Sequence, residues 1–449
     1  MKFMIIAILI IAMSMLDSCR PKEQTPANVI LIIGDGTGFN QLQAGSLFLH
    51  GKENALRMFE FPVQMAVSTY SSEGQGYDPQ KVQADFDYLK QKPTDSAAAA
   101  TALATGVKTY NSAIGVDVNK KSVVNYFELA EKAGISTGVV TSVPFSHATP
   151  AGFVAHDTSR SNYHQIAQEM IDSSAVDVIF GCGHPWYDED NQKLREPHYS
   201  YISAEVWDGV QSGRARSDAD GDGDADPWTF IDTRAQFVSL QTGDAPLRVL
   251  GIAPVASTLS ANRSGDSTQT APFMPAPNSL SPTLAEMAAA ALNILDDNQQ
   301  GFYLMIEAGA IDWACHANHS ARLVEEVIDL DKTLQTVINW VESHSNWEES
   351  LVIVTADHET GFLTGPESGE IAVTEGHRAD YKPLVNRGIG QLPGMEWHAK
   401  GHTNQLVPFF AKGAGSERFL DYATRTDPWR GKYIDNIDIP TVIKAYLER

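Results

Sequence analysis

Short apolar runs recur along the chain, at Val29–Ile33, Thr137–Thr141, Val176–Phe180, Phe302–Ile306, Leu351–Thr355 and Val407–Ala411. A strand covered on both faces shows a continuous apolar run rather than an alternation, so each run predicts a buried strand. Helical spacing fills many of the intervals. Val123–Lys132 predicts one helix. Ser281-Pro282 predicts the opening of another, a capping serine followed by proline at the first helical position. That helix carries Leu284, Met287, Ala288, Leu292 and Leu295. A third carries Leu323, Val327, Leu330, Leu334, Val337 and Val341. Strands alternating with helices predict an α/β fold, a three-layer sandwich with a largely parallel central sheet and helices on both faces. Two irregular stretches, about 184–278 and 367–400, break the rhythm and read as rim insertions in one domain spanning 28–449.

One helix stands apart. Thr94-Asp95-Ser96-Ala97-Ala98-Ala99-Ala100-Thr101 places a serine in front of a run of the best helix former. Thr, Asp and Ser favour helix N-termini, so Ser96 is expected in or beside the first turn. Unpaired N–H groups and the positive end of the macrodipole favour an alkoxide or a phosphate there. A tightly packed alanine helix is the plainer reading of the same residues.

Composition narrows the class. The 449 residues, 43% of them hydrophobic, are those of a folded chain, and the formal charge of −23 with no basic run argues against nucleic-acid binding. An anionic substrate is compatible with this charge when bound cations invert the local field. Lys2 precedes an apolar run from Phe3 to Leu16, too short for a comfortable span and suited to a secretion signal over 1–18. Leu16-Asp17-Ser18-Cys19 resembles a bacterial lipoprotein signal, with Cys19 as the lipidated residue and 19–27 as a polar tether. The expectation is export to the periplasm or cell surface on a lipid anchor in a bacterial membrane. Cys182 and Cys315 could pair in an oxidising compartment; two buried free thiols is the plainer reading. Asp218 to Asp226 alternates carboxylates around glycines like a calcium loop, but Thr229 stands where an EF-hand needs glutamate, so a solvated acidic loop remains the alternative.

The residues that follow the strands carry the chemistry, because open α/β sheets place their ligand sites beyond the strands' carboxyl ends. Asp35 follows the first run, Glu307 the fourth, and Asp357 with His358 the fifth. A single aspartate there could be a helix cap; the coincidence across three strands points to metal ligands. Asp312 and His316, four apart, share one face of a helix. His402 precedes the last run. Mixed histidine and carboxylate sets suit zinc, and all-oxygen sets suit magnesium.

These residues resemble the alkaline phosphatase family. Asp95-Ser96-Ala97 resembles its nucleophile motif, and Gly34-Asp35-Gly36-Thr37-Gly38 its first metal motif. Glu307 through Asp312, His316 and Asn318, then Thr355 through Gly361, resemble the next two; Gly401-His402-Thr403 resembles the last. The resemblance implies a phosphomonoesterase, often dimeric, that acts on small phosphomonoesters through a phosphoserine at Ser96. It implies one zinc on Asp312, His316 and His402, and a second on Asp35, Asp357 and His358. It implies a magnesium on Asp35, Glu307 and Thr149, with His147 close by, and Arg160 as the clamp on phosphate. Trp313, where the family varies, is expected to act with His147 on magnesium affinity and pH optimum. A diesterase or sulfatase of the same superfamily, or a non-catalytic metal- or anion-binding lipoprotein, are the alternatives. No sulfatase nucleophile motif is present, and every matching position is filled.

Overall fold

The computed structural model describes residues 25–219, 223–265, 271–373 and 376–448. The signal segment, Cys19 and the centre of the acidic loop lie outside the described residues. The central sheet has 11 strands. In chain order they are β1 (Asn28–Gly34), β2 (Val63–Ser68), β3 (Ser136–Pro144), β4 (Val178–Cys182), β5 (Thr229–Ile231), β6 (Val249–Ile252), β7 (Phe302–Ala308), β8 (Ser350–Thr355), β9 (Val407–Gly413), β10 (Arg425–Asp427) and β11 (Gly431–Asp435). Across the sheet the order is β10-β11-β2-β9-β8-β1-β7-β3-β4-β6-β5. From β8 to β5 every neighbour is parallel, whereas β9 runs antiparallel to both of its partners.

The principal helices are α1 (Phe39–His50), α2 (Ser96–Thr105), α3 (Tyr126–Lys132), α4 (Ala148–Val154), α5 (Tyr163–Asp172), α6 (Leu284–Leu295), α7 (Ala310–His316), α8 (Ser320–His344) and α9 (Asp438–Leu447). Strand period sorts them onto two faces. Val29, Leu31 and Ile33 pack into one core with residues of α2, α3, α4, α5 and α9. Ile30 and Ile32 point the other way, into a core with α1, α6 and α8. That is the three-layer sandwich expected from the apolar runs. Part of the 184–278 stretch joins the sheet, since it supplies β5 and β6 at one edge. Within 367–400 the hairpin Gly369–Val373 with Gly376–Asp380 stays outside it.

One helix start differs from expectation. Thr283, not Ser281, caps α6, and Pro282 lies before the helix. Thr283 and Glu286 form a reciprocal capping box, which satisfies two orphan N–H groups where Ser281 followed by proline could satisfy fewer. Ser281 instead accepts a hydrogen bond from Asn191 at 2.8 Å. Cys182 and Cys315 are both free and buried.

The long helix α8 buries Glu326, whose carboxyl is pushed up to about 8 by burial and by the neighbouring Asp329 and Glu325 charges. The unfolded chain ionises this group above about pH 4, whereas the fold holds the proton until about pH 8. Stability is therefore lost as pH rises through that window. Glu326→Gln, which mimics the protonated form, is expected to raise stability at pH 8 by on the order of 3 kcal/mol and to leave it unchanged near pH 4. Urea denaturation at both pH values checks this; an equal gain at both would contradict it.

Candidate active site

The parallel strands point their carboxyl ends at one edge, and the candidate residues meet there. Asp35 follows β1 directly; the N-cap of α1 is Gly38, so Asp35 is not spent as a helix cap. Glu307 is the penultimate residue of β7, and Asp357 and His358 follow β8. All four are buried. Gly36 adopts φ +70°, and a Cβ there would lie 2.8 Å from the Asp312 backbone, so glycine lets the β1 loop close onto α7.

Asp95 caps α2 by accepting from the Ala98 N–H at 3.0 Å, which sets Ser96 at the first helical position. The helix is wholly buried and sits close to α4, where a Cβ on Gly152 would come within 2.7 Å of Ala100 Cβ. The alanine run is thus a tightly packed helix, and Ser96 stands at its first position, as the sequence predicts. The Ser96 hydroxyl lies 3.2 Å from His358 Nε2.

Around it the side chains form overlapping groups. His358 Nε2 stands 3.1 Å from Asp357 Oδ2 and 3.6 Å from Asp35 Oδ1. On α7, Asp312 Oδ2 lies 3.3 Å from His316 Nε2, as the four-residue spacing predicts. His402 Nε2 lies 3.1 Å from His316 Nε2 and 3.7 Å from Asp312 Oδ1. The His358 and His402 rings stack with centroids 3.6 Å apart, which brings the two groups together. Asp35, Glu307 and His147 converge on a third position, where Thr149 Oγ1 donates to Asp35 Oδ2 at 3.4 Å. Trp313 meets the His147 ring edge-on at 5.7 Å. Arg160 is anchored by Asp95 Oδ2 at 3.1 Å and lies 3.3 Å from His147 Nε2. Every candidate residue thus reaches one site.

The electrostatics call for cations. Burial, and then the charges of Asp357, Asp312 and Glu307, push Asp35 well above the usual carboxylate range. Burial and the Asp312 charge push Asp357 up to about 8, and burial raises Glu307. Asp312 moves the other way: burial opposes its ionisation, but the His316 hydrogen bond and the charge on that ring hold it down. Burial keeps His358, His402 and His147 in the neutral form that donates a lone pair to a metal. Asp35 Oδ1, Asp357 Oδ2, Glu307 Oε1 and His147 Nδ1 are buried without a hydrogen-bond partner. Native folds rarely leave such atoms orphaned, and unpaired buried carboxylates are costly. Nitrogen and carboxylate donors fit zinc at the first two groups. The third group is richer in oxygen: Asp35, Glu307 and Thr149 suit magnesium, with His147 as its one nitrogen donor.

Several contributors carried no sequence signal. The Thr141 hydroxyl donates to Glu307 Oε2. Backbone carbonyls of Lys400 and Thr94 accept from the Nδ1 atoms of His316 and His402, which leaves each Nε2 facing the site. Thr360 bridges Asp312 and His358. An open cavity of ≈ 470 Å³ leads in from solvent, lined by Glu73, Lys92, Pro93, Thr94, Asp95, Asn111 and His402. Among the described residues no helix is long and apolar enough to cross a membrane.

Known proteins share this plan. The alkaline phosphatase family model matches residues 26–385. Alkaline phosphatase 4 of Bacillus subtilis (strain 168) is 31% identical over 92% of this chain and 89% of its own length. Alkaline phosphatase of Escherichia coli (strain K12) is 31% identical over 90% of this chain and 85% of its own. The structure of the alkaline phosphatase from the Antarctic bacterium TAB5 superposes with a TM-score of 0.63 at 26% identity, covering 95% of this chain and 99% of that one. Two histidine variants of the TAB5 enzyme hold magnesium. With sequence, fold and a cation-demanding strand edge in agreement, the chain belongs to the alkaline phosphatase family and is a metal-dependent phosphomonoesterase.

Proposed function

We propose that Ser96 is the nucleophile and that the chain hydrolyses small phosphomonoesters through a phosphoserine. The observation that carries this is the Ser96 hydroxyl, at a helix N-terminus and 3.2 Å from His358 Nε2, beside carboxylates whose outer oxygens lack partners. Asp312, His316 and His402 would hold one zinc, and Asp35, Asp357 and His358 a second. Asp35, Glu307 and Thr149 would hold magnesium, with His147 beside it. Bound there, the cations supply Lewis-acid charge that favours the serine alkoxide and the departing oxygen.

Ser96 Oγ attacks phosphorus in line, the phosphorus–alcohol bond breaks, and the alcohol leaves carrying a proton. Water then attacks the phosphoserine, the Oγ–phosphorus bond breaks, and inorganic phosphate departs while Ser96 regains its proton. Arg160 grips two phosphoryl oxygens, and Asp95 fixes its fork. Its side chain is only 19% exposed, so it is not the surface charge its sequence position alone would suggest. Lysine cannot make the paired contact. Arg160→Lys is therefore expected to lower kcat/KM for an aryl phosphate by ~10-fold or more and to weaken inhibition by inorganic phosphate in parallel. Steady-state kinetics with phosphate as inhibitor checks both.

Rates on a monoester, a diester and a sulfate ester test the substrate class. The monoester is expected to lead by ~10²-fold or more in kcat/KM. A diester or sulfate preference would move the chain to an alternative branch of the superfamily. Export is supported by the Lys2 to Leu16 pattern and lipidation by Cys19; dimerisation rests on the family resemblance alone. Calcium at Asp218 to Asp226 has only the alternating carboxylates in its favour.

A further inference from the structure

Thr360 touches more of the metal-type segments than any pattern in the sequence suggests. It is fully buried, directly after Glu359 in a two-residue strand. Its N–H donates to the Gly36 carbonyl at 3.0 Å, which ties it to the loop that carries Asp35. Its backbone pairs with His402 across a short antiparallel ladder. Its hydroxyl lies 2.5 Å from Asp312 Oδ1 and 3.3 Å from His358 Nδ1.

The chemistry of that hydroxyl is constrained. A threonine hydroxyl has one hydrogen to give and two lone pairs to receive. An ionised carboxylate only accepts, so the hydrogen goes to Asp312 Oδ1. At His358 Nδ1 the same oxygen can then only accept, which requires the ring hydrogen on Nδ1. The lone pair of His358 is thereby left on Nε2, the atom that faces Ser96, Asp35 and Asp357. One hydroxyl fixes an Asp312 oxygen in one group and the His358 tautomer in the next.

We propose that Thr360 is a positioning residue that couples the Asp312–His316–His402 group to the Asp35–Asp357–His358 group through this hydrogen-bond relay. The proposal rests on the reading that these groups hold zinc. Losing such a supporting partner lowers metal affinity by ~10–100-fold in general, and here the loss falls on both groups at once. Thr360→Val keeps the shape and removes the relay; Thr360→Ser keeps the relay and trims a methyl group.

The test is zinc affinity of the stripped protein, measured by competition with a chromophoric chelator, alongside kcat for an aryl phosphate. The expected result is a ~10-fold or larger loss of affinity at both groups in Thr360→Val, with Thr360→Ser within a few-fold of the parent. Unchanged affinity in Thr360→Val overturns the relay. Equal losses in the serine and valine variants also overturn it, because packing rather than the hydroxyl would then be the cause. A parent protein that takes up no zinc overturns the relay together with the metal reading beneath it.

Discussion

Ser96→Ala is expected to lower kcat for an aryl phosphate by at least ~10³-fold while leaving zinc and magnesium content near that of the parent. The substitution is mild for the fold. Alanine is the better helix former, and the Asp95 cap on the Ala98 N–H does not involve the serine side chain. Arg160 keeps its anchor on Asp95, so substrate affinity should change only a few-fold. What is lost is the one hydroxyl that faces His358 Nε2 from the helix end. The helix terminus alone would favour an alkoxide by only ~1 kcal/mol, so on the proposed reading most of the activation would come from cations that Asp35, Asp357 and His358 would hold. Kinetics and elemental analysis of the same preparation separate loss of chemistry from loss of metal. Wild-type turnover in the variant would remove Ser96 from the mechanism.

The second large effect is metal removal. Asp35, Asp357, Glu307 and Asp312 crowd into one buried site, and the ordinary remedy for such crowding is protonation or a cation. Chelation is expected to reduce activity to about 1% or less of the starting rate, and zinc plus magnesium to restore it. It should also lower the melting temperature, because ligands that bind the folded state alone stabilise it by mass action. Calorimetry of the chelated and reloaded protein checks the stability half. Full activity in protein verified metal-free would overturn the mechanism.

The strand edge was legible because parallel strands buried on both faces must be continuous apolar runs, as in Val29–Ile33 and Leu351–Thr355. The residue after each run is then a site candidate, which singles out Asp35, Asp357 and His358. Shorter or more polar strands escaped that filter. In β2, Gln64 is exposed among buried neighbours; β10 and β11 are short and carry charged residues at the sheet edge. Strands β5 and β6 hid inside a segment rich in glycine, aspartate and serine. The supporting hydrogen bonds were invisible for another reason. Thr360 and Thr141 act through one hydroxyl each, and the Lys400 and Thr94 carbonyls carry no side-chain signal at all. His147 follows β3 at the same remove as His358 follows β8, but the apolar run marks that strand only to Thr141, so the family pattern alone points to His147; Arg160 follows no strand and rests on the same pattern.

Hydrolysis through a phosphoserine requires a covalent phosphoryl group on Ser96. Acid-quenching the metal-loaded protein during turnover of an aryl phosphate, followed by mass spectrometry of its peptides, tests it directly. Phosphate is expected on the peptide that contains Ser96 and on no other, and absent from Ser96→Ala. Undiminished turnover with phosphate on a different residue would contradict it.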